Sequence, residues 1–190
     1  MQADWQQLLR SISGCQRCEL AKKRTHVVPG EGNPAANIML VGEGPGRNED
    51  LSGRPFVGPA GQLLDQMLAC IGLERNDVYI SNVVKCRPPQ NRTPADDEAL
   101  ACLPFLRQQF VLVRPKVIVC LGATAARFLY DPEVRITRQR GQWKEKKGVW
   151  FLPTYHPAAL LRDVSKKVDS WADMQMLREK ARELGIYPEY

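Results

Sequence analysis

The 190-residue sequence contains only two histidines, which excludes a metal site built mainly from imidazoles. No apolar run approaches the roughly 20 residues that a membrane-spanning helix needs. The first residues lack the basic segment and apolar stretch of a secretory signal, so we expect a cytoplasmic protein without membrane contact. No repeat or linker divides the chain, and we expect a single domain over residues 1–190 that is a monomer.

A glycine-rich loop at residues 42–50, GEGPGRNED, lacks both common phosphate-binding patterns. The dinucleotide-binding pattern G-x-G-x-x-G would place its third glycine at Arg47, and the Lys-Ser/Thr pair of a P-loop is absent. Glu43 would also repel a phosphate. The glycines, Gly42 and Gly44 among them, are better explained by a close approach of the backbone to an uncharged ligand.

The charge balance does not identify the partner. A net charge of +6, from 27 Lys and Arg against 21 Asp and Glu, is compatible with a polyanion such as nucleic acid. Ordinary surface charge explains the same number equally well. Basic clusters lie at residues 22–24, 135–140 and 144–147.

The order of predicted elements indicates an α/β fold. After a first helix over residues 3–13, four apolar strand-like segments alternate with four helix-like segments. Such strands suit a mostly parallel sheet covered on both faces, with a ligand crevice at the carboxyl ends of the strands. Three polar loops follow strands there, at residues 42–50, 85–94 and 155–163. The pattern of the last helix predicts that it buries Trp171, Met174, Leu177, Ala181 and Leu184.

Six cysteines in an expected cytosolic chain argue against disulfides and for metal binding or catalysis. Cys70 and Cys120 lie in apolar segments and are predicted to be small buried residues. The other four are Cys15 and Cys18 in a C-x-x-C pair, followed by Cys86 and Cys102. Four thiolates with one tight pair suit an iron–sulfur cluster, although spacing alone leaves zinc and unlinked thiols open.

The three loops and the four cysteines, in this order, resemble the family 4 uracil-DNA glycosylases. The resemblance is carried by GEGPGRNEDLSGRPFVGPAGQLLD, SNVVKCRPPQNRTP and HPAALLR, and it covers about residues 12–165. It implies a three-layer α/β/α sandwich with a central four-stranded, mostly parallel sheet. It also implies a structural 4Fe–4S cluster on Cys15, Cys18, Cys86 and Cys102. The implied reaction is removal of uracil from single- or double-stranded DNA, which leaves an abasic site.

The resemblance assigns the recognition of a uracil that is flipped out of the DNA. Phe56 would stack on the ring, and Asn82 would accept from N3–H and donate to O4. His156 would donate to O2 as the base leaves as an anion, without needing a charged imidazole. Glu49 would lie near C5 and exclude the methyl group of thymine. From the residues alone, Phe56 and His156 are more often a core plug and a structural side chain. Asn82 fits an ordinary strand-end asparagine equally well, and a solvated loop charge is the alternative for Glu49.

The attacking water lacks an obvious general base. Related families carry an aspartate at the position of Gly44, and this chain has no carboxylate there. Asn91 would position the water instead, and it can also form an Asx turn. Glu43 would bind the loops of the pocket or the sugar.

DNA would be contacted beside the pocket. Leu160 is the predicted wedge that enters the base stack, with Leu161 as the competing candidate. Arg162, Lys166 and Lys167 would meet phosphates, and residues 135–143 would form a second contact unless they are ordinary surface.

Two other functions remain open at this point. One is a non-enzymatic iron–sulfur or zinc module that binds nucleic acid. The other is a related glycosylase that becomes covalently trapped on its product, but the basic, His-containing insertion of that subgroup is absent from KCRPPQNRTP. No lysine in the three loops is placed for Schiff-base chemistry, so lyase activity is not expected. The sequence does not show whether a replication clamp is a partner.

Overall fold

The apolar segments form the strands of one sheet in the computed structural model, which describes residues 2–188 and the side chains of residues 4–188. The strands are β1 Glu31–Gly32, β2 Ile38–Gly42, β3 Val78–Asn82, β4 Val117–Leu121, β5 Lys144–Lys146 and β6 Val149–Thr154. The helices are α1 Gln2–Ser13, α2 Arg47–Ser52, α3 Pro59–Cys70, α4 Asp96–Val113, α5 Ala123–Leu129, α6 Ile136–Gln139, α7 Pro157–Arg162 and α8 Lys166–Glu183. Short 3-10 turns lie at Glu19–Lys22, Arg75–Asp77 and Pro89–Asn91.

The strand order is β1-β3-β2-β4-β6-β5, with four parallel strands in the centre and an antiparallel strand at each edge. The predicted α/β class and mostly parallel sheet are confirmed. The predicted number of four strands is wrong, because the described residues form six. The two edge strands have only two and three residues and contain no apolar run, so periodicity does not reveal them.

Helices cover both faces of the sheet, since alternate strand residues point to opposite sides. Ile38 and Leu40 of β2 belong to a core cluster with residues of α3 and α8. Met39 and Val41 belong to a second cluster with residues of α1, α4 and α5. Burying each such side chain contributes about 1.5–3 kcal/mol, so the two clusters fix the strands between the helical layers. None of the helices in residues 2–188 has both the length and the apolar character to cross a bilayer.

Two burial predictions are wrong. Trp171 is 44% exposed, because α8 turns Asp173 inward, where its carboxylate pairs with Arg140 at 2.5 Å and accepts from Thr154 Oγ1 at 2.6 Å. Cys70 is also exposed, at the last residue of α3, and the neighbouring Ile71 is buried instead. The other cysteine of an apolar segment, Cys120, is buried as predicted.

Candidate active site

The three polar loops meet at the carboxyl ends of the central strands around a cavity of about 680 Å³, which we call the main cavity. Gly42 at the end of β2 lies in register with Asn82 at the end of β3, so the loops that follow start side by side. The sequence candidates that line the main cavity are Glu43, Gly44, Glu49, Phe56, Asn82, Asn91 and His156. The fold therefore brings together most of the predicted site.

The glycines of the first loop make room for side chains. A Cβ atom on Gly42 would lie 2.5 Å from Asn82 Oδ1 and 2.6 Å from Phe56 Cζ. A Cβ atom on Gly44 would lie 2.7 Å from Val84 Cγ2. Gly42 is thus needed because two neighbouring site residues approach its backbone closely, which refines the expected approach of a ligand.

Phe56 is held in an unusual backbone conformation beside His156. Its φ of 51° lies in the left-handed region that bulky residues rarely adopt, and the side chain is buried. Arg75 supports it from behind, because its guanidinium donates to the carbonyls of Pro55 at 2.8 Å and Phe56 at 3.2 Å. A Cβ atom on Gly61 would lie 1.8 Å from Phe56 O, so a glycine is required there.

Arg75 and Gly61 were not found from the sequence. Gly61 stands in the quoted GPAG segment, where a second glycine so close to Phe56 was the available signal. Arg75 carries no local signal, because its contacts span 20 residues to Pro55 and 44 residues to Glu31.

Asn82 lines the main cavity and carries an unsatisfied side-chain oxygen. The residue is 2% exposed, and Oδ1 has no hydrogen-bond partner within residues 2–188. Its backbone carbonyl accepts from Lys85 Nζ at 2.7 Å. An orphaned buried acceptor is costly, so this oxygen points to a ligand that donates a hydrogen bond.

His156 is a neutral donor. It precedes α7, and its Nδ1 accepts from the Ala158 N–H at 3.1 Å, which places the ring proton on Nε2. Burial, together with repulsion from Arg162, lowers the pKa of His156 from 6.5 to about 4, although Glu49 opposes the shift. The imidazole is therefore uncharged at neutral pH and keeps Nε2–H available for a ligand.

The two acids of the loop are bonded within the site. Glu43 accepts from the hydroxyl of Thr124, a cavity residue that sequence reasoning missed because it lies 81 positions downstream. The Glu49 carboxylate accepts from the N–H groups of Gly46 at 3.0 Å and of Val57 and Gly58 at 2.8 Å each. Glu49 thus ties the glycine loop to the segment that carries the Phe56 ring.

Asn91 lies on the exposed side of the main cavity, also at a positive φ, of 55°. Its Oδ1 accepts from Arg87 Nε at 2.8 Å. This bond orients the side-chain amide, whose NH₂ group has no hydrogen-bond acceptor within residues 2–188.

The predicted wedge residue is not accessible. Leu160 is 1% exposed, whereas Leu161 is 47% exposed. The two residues are neighbours in the short helix α7, which turns Leu160 towards the core and Leu161 towards solvent. Entry into a base stack needs an exposed tip, so Leu160 does not fit this role, and Leu161, the competing candidate, has the exposure that the role needs.

The four cysteines that the sequence predicts as cluster ligands line one small cavity, which we call the four-cysteine cavity. Cys86 and Cys102 are buried there, while Cys15 and Cys18 are partly exposed. Arg24 Nη1 lies 3.2 Å from Cys86 Sγ, and the Lys85 N–H lies 3.3 Å from Cys102 Sγ.

The donor set of the four-cysteine cavity fits an iron–sulfur cluster, because thiols are its usual ligands and no carboxylate or imidazole lines the cavity in the described residues. Within the described residues, no group of three or more His, Cys, Asp or Glu side chains is already arranged to hold a metal ion.

Comparisons with known proteins identify the family. The protein-family model described as the Uracil DNA glycosylase superfamily matches residues 29–178 of the chain. The chain is 51% identical to the type-4 uracil-DNA glycosylase of Thermotoga maritima over 83% of each protein. It is 45% identical to that of Sulfurisphaera tokodaii over 97% of this chain and 86% of that protein.

A more distant relative is the type-5 uracil-DNA glycosylase of Pyrobaculum aerophilum, which is 32% identical over 83% of this chain and 76% of that protein. The type-4 enzyme of Archaeoglobus fulgidus is 47% identical over 90% of each protein. The chain therefore belongs to the uracil DNA glycosylase superfamily and, within it, to the type-4 uracil-DNA glycosylases.

Proposed function

We propose that the protein hydrolyses the N-glycosidic bond of deoxyuridine in DNA, releasing uracil and leaving an abasic site. The observation that carries the proposal is the pairing of an orphaned acceptor, Asn82 Oδ1, with a neutral donor, His156 Nε2–H, at one cavity. The relatives' names supply the same substrate class.

Uracil matches this set of groups. Asn82 Oδ1 would accept from N3–H, and the amide NH₂ would donate to O4. Cytosine presents an unprotonated N3 and an N4 amino group. The Asn82 oxygen would then face another acceptor, and the amide NH₂ would face another donor. The target nucleotide has to leave the helix to enter the cavity, at a cost of a few kcal/mol.

His156 would stabilise the leaving group. As the C1′–N1 bond breaks, its electron pair moves to uracil and the sugar gains oxocarbenium character. The Nε2–H donor would meet the negative charge that develops on O2, and a donor placed in advance stabilises the transition state more than the ground state. The neutral imidazole keeps its proton throughout this step.

Water would add to C1′ and release a proton to solvent. Asn91 would orient this water, since Arg87 already fixes the Asn91 side chain. Glu43, bonded to Thr124, would hold the loop that faces the sugar. No lysine lines the main cavity in the described chain, which supports a monofunctional enzyme without Schiff-base lyase activity.

Thymine would be excluded by the shape of the cavity near C5. Glu49 fixes this wall by accepting from three backbone N–H groups. We assign the carboxylate the role of holding the wall closed against a methyl group.

The DNA would lie across the cavity mouth, with Leu161 as the wedge. Arg162 lines the main cavity and is exposed, and Lys167 is exposed nearby in α8. Ile136 also lines the cavity, so the exposed Arg135 and Arg138 beside it would meet phosphates on the other side.

Cys15, Cys18, Cys86 and Cys102 would hold a 4Fe–4S cluster. The cluster would supply structural cross-linking of distant segments rather than electron transfer, since glycosidic hydrolysis needs no redox step. Single- and double-stranded DNA, a monomeric state and a cytoplasmic location complete the proposal, and a replication-clamp contact is left open.

The test is excision from a uracil-containing oligonucleotide, single- or double-stranded, followed by alkaline cleavage of the abasic site. We expect strand cleavage only after alkali, and none with thymine or cytosine in place of uracil. An intact strand after alkali, with retained binding, would instead indicate the non-enzymatic nucleic-acid module.

A further inference from the structure

Lys85 is the most unusual buried group outside the proposed chemistry. Its side chain is 1% exposed and runs between β3 and α4. Nζ donates to Ser81 Oγ at 2.6 Å, to the Asn82 carbonyl at 2.7 Å and to Gln109 Oε1 at 2.8 Å. All three acceptors are uncharged.

No carboxylate pairs with this ammonium in the described residues, where its acceptors are a hydroxyl, a backbone carbonyl and a side-chain amide. Removing a charge from water without an opposite charge is strongly unfavourable. A lysine that only filled core volume would be replaced more favourably by an apolar side chain. A negative group close to Lys85 in the functional protein would offset this cost.

The four-cysteine cavity supplies such a group. Lys85 lines this cavity, is followed by Cys86, and donates its backbone N–H to Cys102 Sγ at 3.3 Å. Thiolates are the form of cysteine that binds iron, so a loaded site concentrates negative charge at the cavity that Lys85 lines.

The side-chain end of the same residue bonds to Asn82, which lines the main cavity. The carbonyl that Lys85 Nζ holds belongs to Asn82, whose side-chain Oδ1 has no hydrogen-bond partner within residues 2–188. The segment between them is tied to the glycine loop, because Val83 N–H donates to Gly42 O at 2.9 Å and Val84 N–H to Glu43 O at 3.1 Å. One side chain thus bonds to the backbone of the recognition residue while its own backbone bonds to a cluster ligand.

We propose that Lys85 is a positioning residue that joins the two sites: its ammonium holds Asn82 for uracil, and the cysteine thiolates of the bound cluster balance its charge. This inference rests on the proposed function. Its consequence is that loss of the ammonium weakens both iron retention and uracil binding, through separate contacts.

The variant Lys85→Met removes the ammonium and keeps the length of the side chain. Lys23→Met is the matched control, since Lys23 is exposed in the segment between Cys18 and β1. Iron per chain and the visible absorption of the cluster are followed during incubation with a chelator. KM and kcat for a uracil-containing oligonucleotide are measured per iron-loaded enzyme.

For Lys85→Met we expect faster loss of iron and a KM raised about tenfold at nearly unchanged kcat, as for one lost hydrogen bond to a charged group that acts on binding. Lys23→Met should match the wild type in all readouts. In an Asn82→Ala background, Lys85→Met should no longer change KM but should still release iron faster, because the two effects run through different contacts.

Wild-type iron retention and KM in Lys85→Met would overturn the proposal, as would a KM effect that persists at full size in the Asn82→Ala background. If Lys85→Met does not fold, Lys85→Arg keeps the charge but not the geometry, and it should retain iron while raising KM; an Arg variant that loses iron contradicts the proposal. A wild-type protein that excises no uracil refutes the function instead, and the iron readout still tests the charge balance.

Discussion

Phe56 and His156 stack directly on each other, with ring centroids 5.5 Å apart and an interplanar angle of 27°. A base sandwiched between two rings would need them about 7 Å apart, twice a carbon–carbon contact of about 3.5 Å. Uracil therefore cannot lie between these rings in this arrangement. The aromatic side chain and the imidazole would instead contact the base from neighbouring sides, so the position of Phe56 also determines that of the donor.

Arg75→Met should weaken substrate binding through Phe56. The variant removes both guanidinium bonds to the carbonyls of Pro55 and Phe56, so the left-handed conformation at φ 51° loses support. We expect KM for uracil-containing DNA to rise about tenfold, and the inhibition by free uracil to weaken by a similar factor. Arg54→Met is the control, because Arg54 bonds to Glu31 as Arg75 does but is not bonded to Phe56. Equal effects of both variants would contradict the assignment.

The pH dependence of catalysis should lack a transition near 6.5 from His156. Since its folded-state pKa is about 4, the imidazole stays neutral, and kcat/KM should be level from pH 8 to about 5 and fall below that. Histidine ring signals in an NMR titration provide a direct measurement, and a His26→Ala variant assigns them, because the chain has only two histidines. If kcat/KM of the wild type shows a transition near pH 6.5 that the His156→Gln variant lacks, the conclusion that His156 is neutral is wrong.

The same shift predicts a loss of stability in acid. The folded pKa of His156 lies below the value of 6.5 for the unfolded chain, so between pH 6.5 and about 4 the unfolded state binds more protons. Stability should therefore fall as the pH drops through this window. Above pH 6.5 the imidazole is neutral in both states, so His156 makes no pH-dependent contribution to stability. Urea unfolding of the wild type and of His156→Phe at several pH values measures the effect, and the variant should show a weaker dependence.

Asn82→Asp should lose uracil recognition. The carboxylate can still accept from N3–H but cannot donate to O4, and two acceptors then face each other. We expect kcat/KM for uracil to fall about 10- to 100-fold, corresponding to about 1–3 kcal/mol for an unsatisfied buried group. Asn91→Asp is the comparison, because that side chain is exposed and would affect the water rather than the base. Unchanged uracil rate and selectivity in Asn82→Asp would remove the residue from recognition.

The sequence predicts the parts of the molecule in which a local pattern has one physical explanation. Buried strands of five or six residues give the sheet, and a parallel sheet gathers its polar loops at one edge. Contacts between distant residues are not predictable in this way. Arg75 reaches Phe56 from 19 positions away, and Asp173 replaces Trp171 on the buried face of α8 only because Arg140 and Thr154 are there to pair with it.

Glu49→Gln should destabilise the glycine loop and relax the exclusion of thymine. A glutamine amide retains one acceptor oxygen, so its NH₂ group must face at least one of the backbone donors that Glu49 now accepts from. We expect a loss of roughly 1–3 kcal/mol in urea unfolding, together with measurable excision of thymine from mismatches. Glu183→Gln at the exposed end of α8 is the control, with an effect below about 1 kcal/mol. If the variant still excises no thymine, Glu49 stabilises the loop but does not contribute to the exclusion of thymine.

Leu160→Ala and Leu161→Ala form a matched pair that separates core packing from DNA entry. Leu160 is fully enclosed, so its truncation should cost about 2–5 kcal/mol of stability and affect single- and double-stranded substrates alike. Leu161 is half exposed, and its truncation should change stability by less than about 0.5 kcal/mol. Because a wedge fills the gap left by a flipped base in a duplex, Leu161→Ala should slow excision from double-stranded DNA much more than from a single strand. Equal losses on both substrates would show that Leu161 does not act on base stacking.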